Sequence, residues 1–419
     1  MSTFQTALSG LKAASTDLQV MGNNIANANT VGFKESNAQF ADAYASAIAG
    51  TAPQAGQVGI GTTVQTIAQQ FSQGNIEATS NPLDVAINGS GFFQFDYNGS
   101  TVYGRNGQFQ LDQNGYIVDA AGGKLQGTPA ASGKLTGGSG PLQITQTTLA
   151  PSGTTAVGIQ LNLNSASSPI SGSGGIAIND PTSYNYSTST TVYDSLGQSH
   201  ILTTYYALTS GSPPQWNLAY SLSGTSGASG ITSGTIGGLS ALQFSAGGSL
   251  SGTASGTITI ASSGPGSFTD GASGVTIALS FAGSTDYSAP SAVNNVTNDG
   301  YGVGQLSNLS VDPSGIVYGR YSNGQSAVLG QITLTNFRAP QGLQRIGNNY
   351  FVPTYASGQP LTGSPGSGGL GSLQASAVEQ SNVDLSTQLV DLIVAQQAYQ
   401  ANAQTIKTQN QVVQTLLTL

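Results

Sequence analysis

The chain has 419 residues, but Lys, Arg, Asp and Glu make up only 6% of them, against about a quarter in ordinary soluble domains. The net charge of −8 argues against a nucleic-acid-binding surface, and the lack of cysteine excludes disulfides and thiolate metal sites. Because a free monomer usually solvates its surface with charge, we infer that copies of the same chain cover much of this surface.

The first thirty residues predict an amphipathic helix with a seven-residue repeat. Its two apolar rows, three positions apart, are Phe4, Leu11, Leu18 and Ile25, and Ala7, Ala14, Met21 and Ala28. This spacing is typical of the a and d positions of a coiled coil. Thr30, Val31 and Gly32 then predict the end of the helix.

Residues 33–75 are interpreted as a linker between this helix and the β structure that follows. Glycine adopts backbone angles that other residues avoid, so glycines are the predicted hinge positions. They are Gly32, Gly56, Gly59 and Gly61.

Alternation of apolar and polar residues predicts β structure in the middle of the chain. Residues 76–148 and 292–375 contain Asn-Gly turn pairs between alternating runs and predict one β domain. Residues 149–291 are rich in Ser, Gly and Thr but keep strand-like runs, which predict an outer all-β domain inserted in the first. Disorder is the alternative that this low complexity leaves open.

The C-terminal residues repeat the pattern of the N-terminal helix. Their apolar row comprises Leu385, Leu392, Tyr399, Ile406 and Val413. Ser381 and Asp384 offer acceptor side chains where the helix would begin. We therefore expect residues 1–32 and 376–419 to pack as a helical coiled-coil domain, with the rows that begin at Phe4 and Leu385 as its self-assembly seam. The predicted fold is mixed but mainly β.

Uncharged amides, rather than Lys and Glu, cover the other faces of both helices. Six of them form the predicted polar face: Asn23, Asn24, Asn27, Gln400, Asn402 and Gln404. Neutral amides suit a face pressed against like helices, where an unpaired charge is costly, and they also suit the wall of a water-filled bore. The alternative is a pair of ordinary core helices, although solvated helix faces normally carry mixed charge.

The sequence predicts no catalytic, metal or cofactor site. His200 is the single histidine, and it lies in a strand-like run without a second imidazole or a marked serine, so a structural role is expected. No apolar run approaches the roughly 18 residues that span a bilayer, and no cleavable signal peptide is recognisable.

Three regions resemble the axial-protein family of bacterial flagellar rods and hooks. They are FQTALSGLKAASTDLQVMGNNIANANTVGFK, LDVAINGSGFFQ with YGRNGQFQLDQNGYIVD, and VEQSNVDLSTQLVDLIVAQQAYQANAQTIKTQNQVVQTLL. The stretch YSNGQSAVLGQITLTNFRAPQGLQRIGNNYFVPTYASG is most similar to the hook members of that family. The resemblance covers both ends and the flanking β blocks, but not the glycine-rich centre.

The resemblance implies a structural subunit that assembles into a curved, flexible tube and is not an enzyme. Such a tube would serve as a universal joint, transmit torque from rod to filament and enclose the export channel. The implied partners are copies of the chain, the distal rod, the hook cap, the hook–filament junction proteins and the flagellar type III export apparatus, without nucleic acid, membrane insertion or cofactors. The implied location is the extracellular flagellum, reached without a cleaved signal peptide. The alternatives are a distal rod or other axial protein, and a secreted β-rich adhesin or enzyme.

Each terminal helix would be marginal alone, so we expect both ends to fold on assembly. The facing rows would be Leu11, Leu18 and Ile25, and Leu392, Tyr399 and Ile406, from the same or a neighbouring copy. Identical head-to-tail contacts that do not close generate a helical tube.

Overall fold

The computed structural model describes residues 2–43, 59–170, 175–209, 213–227 and 230–417. Within these ranges the chain forms one α-helix near each end, α1 (Ser2–Ala26) and α2 (Leu385–Leu417), and 31 strands between them. Two short 3₁₀ turns span Pro181–Ser183 and Pro340–Gly342. The predicted fold class, mainly β with terminal helices, is confirmed. Neither described helix combines the length and apolarity needed to cross a lipid bilayer.

The strands are numbered in chain order. The first eleven are β1 (Ser36–Ala43), β2 (Gly61–Gln69), β3 (Ile76–Ala78), β4 (Val85–Asn88), β5 (Phe92–Tyr97), β6 (Ser100–Gly104), β7 (Phe109–Leu111), β8 (Ile117–Asp119), β9 (Lys124–Ala131), β10 (Lys134–Leu135) and β11 (Gly140–Pro141). The next eleven are β12 (Thr148–Leu149), β13 (Ala156–Asn164), β14 (Tyr186–Tyr193), β15 (Ser199–Thr209), β16 (Gln215–Ser223), β17 (Ile231–Gly234), β18 (Ala241–Gln243), β19 (Ser255–Ile260), β20 (Val275–Ser280), β21 (Thr285–Tyr287) and β22 (Ala292–Asn298). The last nine are β23 (Gly304–Val311), β24 (Ile316–Tyr321), β25 (Ser326–Ile332), β26 (Leu334–Asn336), β27 (Gln344–Gly347), β28 (Tyr350–Val352), β29 (Leu361–Gly363), β30 (Ser372–Ala375) and β31 (Ala377–Glu379).

The chain divides into two compact units. The terminal unit comprises Met1–Gln146, Ser307–Arg320 and Ser326–Leu419, and the inserted unit comprises Thr147–Leu306 and Tyr321–Gln325. The sequence prediction ended the inserted domain at residue 291 and assigned residues 292–375 to the first β domain. The structure instead keeps residues 292–306 in the inserted unit, because β22 pairs antiparallel along β13, from Ala292 opposite Asn162 to Asn298 opposite Val157.

Strand β9 organises the β part of the terminal unit, since it pairs with β5, β8 and β25. The β5–β6 hairpin turns at Asn98-Gly99, where φ is 53° and 77°, as a type I′ turn requires. Aromatic side chains fill the core beneath it. Phe93 and Phe109, for example, meet edge to face with ring centroids 5.1 Å apart. The segments that lead into both helices are joined to this β core through Lys34, Glu379 and Arg105.

The described part of residues 33–75, which the sequence predicted to be a linker or hinge segment, contains two strands. Strands β1 and β2 pair antiparallel, from Ser36 opposite Gln69 to Ala43 opposite Gly61, and both strands contact α1. The prediction missed them because threonine, glutamine and alanine interrupt the apolar alternation on which it relied. The terminal helix therefore rests on a β-ribbon.

Within its described residues, the inserted unit contains two main sheets. One has the order β19-β20-β13-β21, with β22 also on β13, and the other has the order β14-β15-β16-β17, with β18 also on β16. Trp216, Tyr206, Phe244 and Phe281 are buried in one shared core. This core excludes the disorder alternative for the described part of the unit.

Candidate functional site

The helices α1 and α2 lie side by side and run antiparallel. Asn24, near the end of α1, donates from Nδ2 to Oε1 of Gln388 near the start of α2, at 3.1 Å. Toward the start of α1, Gly10 packs so closely on Asn402 of α2 that a Cβ atom on Gly10 would lie 2.8 Å from Asn402 Oδ1. The two ends of the chain therefore pack together, as their matching heptad patterns predicted.

The two helix contacts just described involve residues outside the predicted apolar rows. These residues belong to two other rows with the same spacing of seven, which are called the contact rows below: Gly10, Asp17 and Asn24 on α1, and Gln388, Ala395 and Asn402 on α2. Apart from Asp17, these residues have small or amide side chains, which allow a close approach of the two helices. A groove of about 280 Å³ remains beside them, lined partly by Ala13, Ala14 and Ala398.

None of the nine predicted seam residues is fully buried by the chain itself. Four are exposed: Phe4, Leu385, Tyr399 and Val413. Five are half-buried: Leu11, Leu18, Ile25, Leu392 and Ile406. Leu11 lines a larger groove of about 710 Å³ between α1 and β2, together with Leu8 and Val64. Within one chain, the nine seam residues are thus left partly or largely exposed.

Asn24 corrects the prediction of an outward polar face. Its side chain is 1% exposed. Its Oδ1 accepts from the Ser36 N–H at 3.0 Å, and its Nδ2 donates to Ser36 O at 2.8 Å as well as to Gln388. The amide therefore satisfies β1 backbone groups and ties α1, β1 and α2 together. A hydrocarbon side chain would leave those buried groups without partners.

Of the other five residues of the predicted polar face, two are half-buried and three are exposed. Asn402 is half-buried against Gly10, so it also belongs to a contact row within the chain. Asn27 is half-buried and bonds locally, donating to Asn23 O at 2.9 Å. Asn23, Gln400 and Gln404 are exposed, and for these three the predicted role remains open.

The amide contacts continue into the segments beside the helices. Gln388 donates from Nε2 to Glu35 Oε1 at 3.0 Å. Asn382 accepts from the Glu35 N–H at 2.8 Å and donates to Gln70 O at 2.9 Å. Sequence reasoning missed this network, although asparagine and glutamine just outside a helix end are a usable signal for side chain–backbone bonds.

Three carboxyl groups lie near one another where the helices meet. Burial, and then the charge of Asp391, raise the pKa of Asp17 above its ordinary value. The same two causes raise the pKa of Glu35, and the hydrogen bond from Gln388 partly offsets them. The helix pair is therefore strained electrostatically when all three carboxyl groups are ionised.

A buried ion triad lies where the two terminal segments enter the β core. Glu379 Oε1 is 2.6 Å from Lys34 Nζ and Glu379 Oε2 is 3.1 Å from Arg105 Nη1, and the side chains of Lys34 and Glu379 are fully buried. Lys34 also donates to Ser72 O at 2.7 Å, and the Gly74 N–H donates to Glu379 Oε1 at 2.9 Å. Burial lowers the pKa of Lys34, whereas the charge of Glu379 opposes that change. Sequence reasoning missed this triad, although charged residues are scarce enough here to be a signal.

Two of the predicted hinge glycines are explained by close packing. Gly32 has φ 71°, donates to Glu379 O at 2.8 Å, and would bring a Cβ atom to 2.5 Å from the Asn106 backbone N. Gly61 has φ 130° and lies against Ser9 of α1. Gly59 has no such crowding, its nearest neighbour being Ala43 O, and Gly56 lies outside the described residues. The hinge role of these positions stays a prediction.

Comparison with protein families finds matches along most of the chain. Residues 4–34 match the flagella basal body rod protein family, and residues 86–178 match the flagellar hook protein FlgE/F/G D1 domain. Residues 162–301 match the flagellar basal body protein FlaE D2 domain, and this range lies entirely within the inserted unit. Residues 374–419 match the flagellar basal body rod FlgEFG protein C-terminal family.

Individual relatives match over the full length. The chain is 40% identical to the flagellar hook protein FlgE of Salmonella typhimurium over 446 residues, covering 100% of both chains. It is 40% identical to FlgE of Escherichia coli over 424 residues and 31% identical to FlgE of Borreliella burgdorferi over 444 residues, with at least 99% of each chain covered. Among solved structures, the Helicobacter pylori flagellar hook protein FlgE2 aligns with a TM-score of 0.50 and 16% identity, over 73% of this chain and 100% of that one, which supports the fold.

Proposed function

The chain belongs to the family of bacterial flagellar hook proteins, and from that premise we propose how its terminal helices build the hook. It is a structural subunit of the flagellar hook and not an enzyme. We propose that further copies cover its exposed apolar helix surface, so that the subunits form a curved, flexible tube. The tube would act as a universal joint, transmit torque from rod to filament and enclose the export channel.

An exposed apolar zone on the first turns of α2 is the observation that carries this proposal. Its members are Leu389, Val390, Ile393 and Val394, which are 51–61% exposed. The zone contains no charged side chain, and its neighbour Asp391 is half-buried toward α1. Apolar surface left in water costs about 25 cal/mol per Å², and a contiguous patch of this kind usually marks an interaction surface.

We propose that the groove between α1 and β2 binds the apolar α2 zone of a neighbouring copy. Leu8, Leu11 and Val64 line it, and Lys12 is the one charged residue among its described lining residues. If the α2 zone of one copy occupies the groove of the next copy, two different surfaces meet and the contact repeats head to tail. Such a heterologous contact propagates into an open helical assembly.

The exposed amides Asn23, Gln400 and Gln404 are proposed to face the bore or other copies. Neutral amides form hydrogen bonds in either place without attracting charged export substrates. The hinge role of Gly32, Gly56, Gly59 and Gly61 is also part of this proposal, because changes of backbone angle at these glycines would let subunits slide as the tube bends.

The proposed partners beyond other copies follow from the family. They are the distal rod, the hook cap, the hook–filament junction proteins and the flagellar type III export apparatus. We propose export in an unfolded state without a cleaved signal peptide, and a final location in the extracellular flagellum. Full-length matches to hook proteins favour this reading over a rod protein, an adhesin or an enzyme.

The experiment is a paired Leu→Asp substitution, followed by electron microscopy of polymerised protein. Leu389→Asp places a charge in the α2 zone and is expected to abolish tubes. Leu196→Asp is the matched control, because Leu196 is a similarly exposed leucine, 57% against 51% for Leu389, in the inserted unit. Tubes of normal appearance from Leu389→Asp would overturn the proposed contact, as would equal loss of assembly in both variants.

A further inference from the structure

Two carboxyl groups and the single imidazole of the chain converge in the inserted unit. Asp194, His200 and Asp270 each offer one ligand atom, and these three atoms lie within 4.8 Å of one another. Asp194 and His200 are buried, whereas Asp270 is exposed and leaves one side open to solvent. Hook assembly, as proposed above, uses none of these groups.

The hydrogen bonds around His200 place its ring nitrogen Nε2 opposite a carboxylate oxygen of Asp194, and both atoms can act as acceptors. Its Nδ1 lies 3.0 Å from Ser223 O, and because a carbonyl only accepts, Nδ1 carries the hydrogen. Its Nε2 lies 2.8 Å from Asp194 Oδ2. The other oxygen of Asp194 accepts from the N–H groups of Leu196 and Gln198, at 2.8 and 2.9 Å, as an ionised carboxylate does. The lone pair of Nε2 therefore faces an anion, and a cation is required between them: either a proton or a metal ion.

We propose that this cluster binds one zinc ion, through His200 Nε2 and one carboxylate oxygen each of Asp194 and Asp270, with water completing the coordination. One cation then balances both carboxylates as well as the imidazole lone pair. A mixed set of one nitrogen and two oxygens suits zinc better than calcium or magnesium, which prefer oxygen alone. Ligand atoms around tetrahedral zinc lie roughly 3.3 Å apart, so the 2.8 Å pair needs to open only slightly.

The surroundings of the cluster support a built site. The Ser223 carbonyl orients the imidazole with Nε2 toward the carboxylates, as a second-shell acceptor does for metal-bound histidine. The Phe268 ring lies over His200 with centroids 4.6 Å apart. The Ser273 N–H donates to Ser195 Oγ at 2.9 Å, which joins the turn that carries Asp194 to the loop that follows Asp270. Zinc would therefore fasten two loops of the inserted unit.

The test is a titration of the full-length, unpolymerised chain with zinc chloride, by calorimetry and thermal unfolding. We expect one zinc ion per chain and an unfolding midpoint that rises with free zinc. Asp270→Asn, at the exposed ligand, should weaken binding roughly tenfold or more without unfolding the unit. Asp180→Asn is the control, because Asp180 is an exposed aspartate of the same unit that caps a 3₁₀ turn, and asparagine caps equally well. Equal zinc affinity in Asp270→Asn and the control would overturn the proposal.

A second measurement separates zinc from the proton. Since the chain has one histidine, its imidazole nitrogen resonances are unambiguous. Zinc is expected to shift Nε2 strongly while Nδ1 stays protonated. An Nε2 that holds its proton at neutral pH and does not respond to zinc would identify the proton as the bridging cation and overturn the proposal.

Discussion

The Asn24 amide joins the two ends of the chain, because it donates to Gln388 Oε1 at 3.1 Å while it pairs with both the N–H and the C=O of Ser36. This one side chain satisfies three polar groups in a place closed to water. Within the asparagine-rich end of α1, Asn24 therefore has a structural role, whereas Asn23 lies on the surface.

Asn24→Ala should destabilise the helix pair by about 2–3 kcal/mol, because buried polar groups of Ser36 and Gln388 lose their partner. The measurement is hydrogen exchange of α1 amides, supported by urea unfolding. Asn23→Ala, at the exposed neighbour, should change stability by less than about 0.5 kcal/mol. Equal effects of the two variants would contradict the fastening role of Asn24.

Glu379→Gln should cost about 3–5 kcal/mol in the free energy of unfolding, because Lys34 and Arg105 would remain buried without their counter-charge. Denaturant unfolding measures this cost. Glu77→Gln serves as the control, since Glu77 is exposed and its carboxylate accepts from the Gln380 amide at 2.8 Å. Adding Lys34→Met to Glu379→Gln should restore part of the lost stability, and strict additivity of the two losses would argue against a shared ion triad.

Stability of the helix pair should rise as pH falls through the acid range. The folded-state pKa values of Asp17 and Glu35 lie above their ordinary values of 3.8 and 4.5. The folded chain therefore keeps protons that the unfolded chain has already released, so stability decreases as pH rises through the raised pKa values. Hydrogen exchange of α1 between pH 7 and pH 4 measures this, with β15 amides as the internal reference.

Asp17→Asn should remove part of this pH dependence and should protect α1 more at pH 7, since one of the three neighbouring carboxylates is gone. A variant whose pH profile matches that of the original chain would show that Asp17 is not a source of the effect.

Gly10→Leu should separate the helices, because a Cβ atom at this position already lies 2.8 Å from Asn402 Oδ1 and the rest of the side chain has no room. Gly22→Leu is the matched control on the same helix. A Cβ atom at Gly22 meets nothing within 4 Å, and leucine gains roughly 0.5–1 kcal/mol of helix propensity over glycine. Circular dichroism and α1 exchange should show a loss for Gly10→Leu and a gain or no change for Gly22→Leu. The reverse order would contradict the assigned contact rows.

Deletion of residues 147–306 should leave a chain that still forms tubes, though straighter or mechanically altered ones. The Leu306 N–H donates to Thr147 O at 2.8 Å, so a short linker bridges the cut. Removal of residues 1–25 should instead abolish tubes, because it removes the α1 contact row and groove. Electron microscopy distinguishes these outcomes, and complete loss of assembly in the first deletion would count against a peripheral role for the inserted unit.

The helices were predictable because their signals are local. Apolar residues spaced by seven predicted a helix to Ala28, and α1 ends at Ala26. Asp384 was predicted near the start of α2, and its Oδ1 accepts from the Ser386 N–H at 2.8 Å. Asn98-Gly99 likewise predicted the β5–β6 turn, since few dipeptides tolerate two positive φ angles.

The contact rows were not predictable from hydrophobicity. Gly10, Asp17 and Asn24 also repeat every seven residues, but a pattern of apolar residues does not rank glycine, aspartate and asparagine as interface positions. The more apolar rows beside them are partly or largely exposed in a single chain. We propose that other copies cover these rows, and the pattern within one sequence does not distinguish such an intermolecular surface from an internal one. The partners Lys34 and Glu379, or His200 and Asp270, are far apart in sequence, and only the fold brings them together.

The hydrogen bond between Leu306 and Thr147 also makes the hook subunit a scaffold for grafting. Since the backbone enters and leaves the inserted unit at neighbouring positions, a foreign domain whose two termini lie close together could replace this unit. Every subunit of a tube would then carry one copy of the foreign domain, at a spacing set by the helical lattice rather than by that domain.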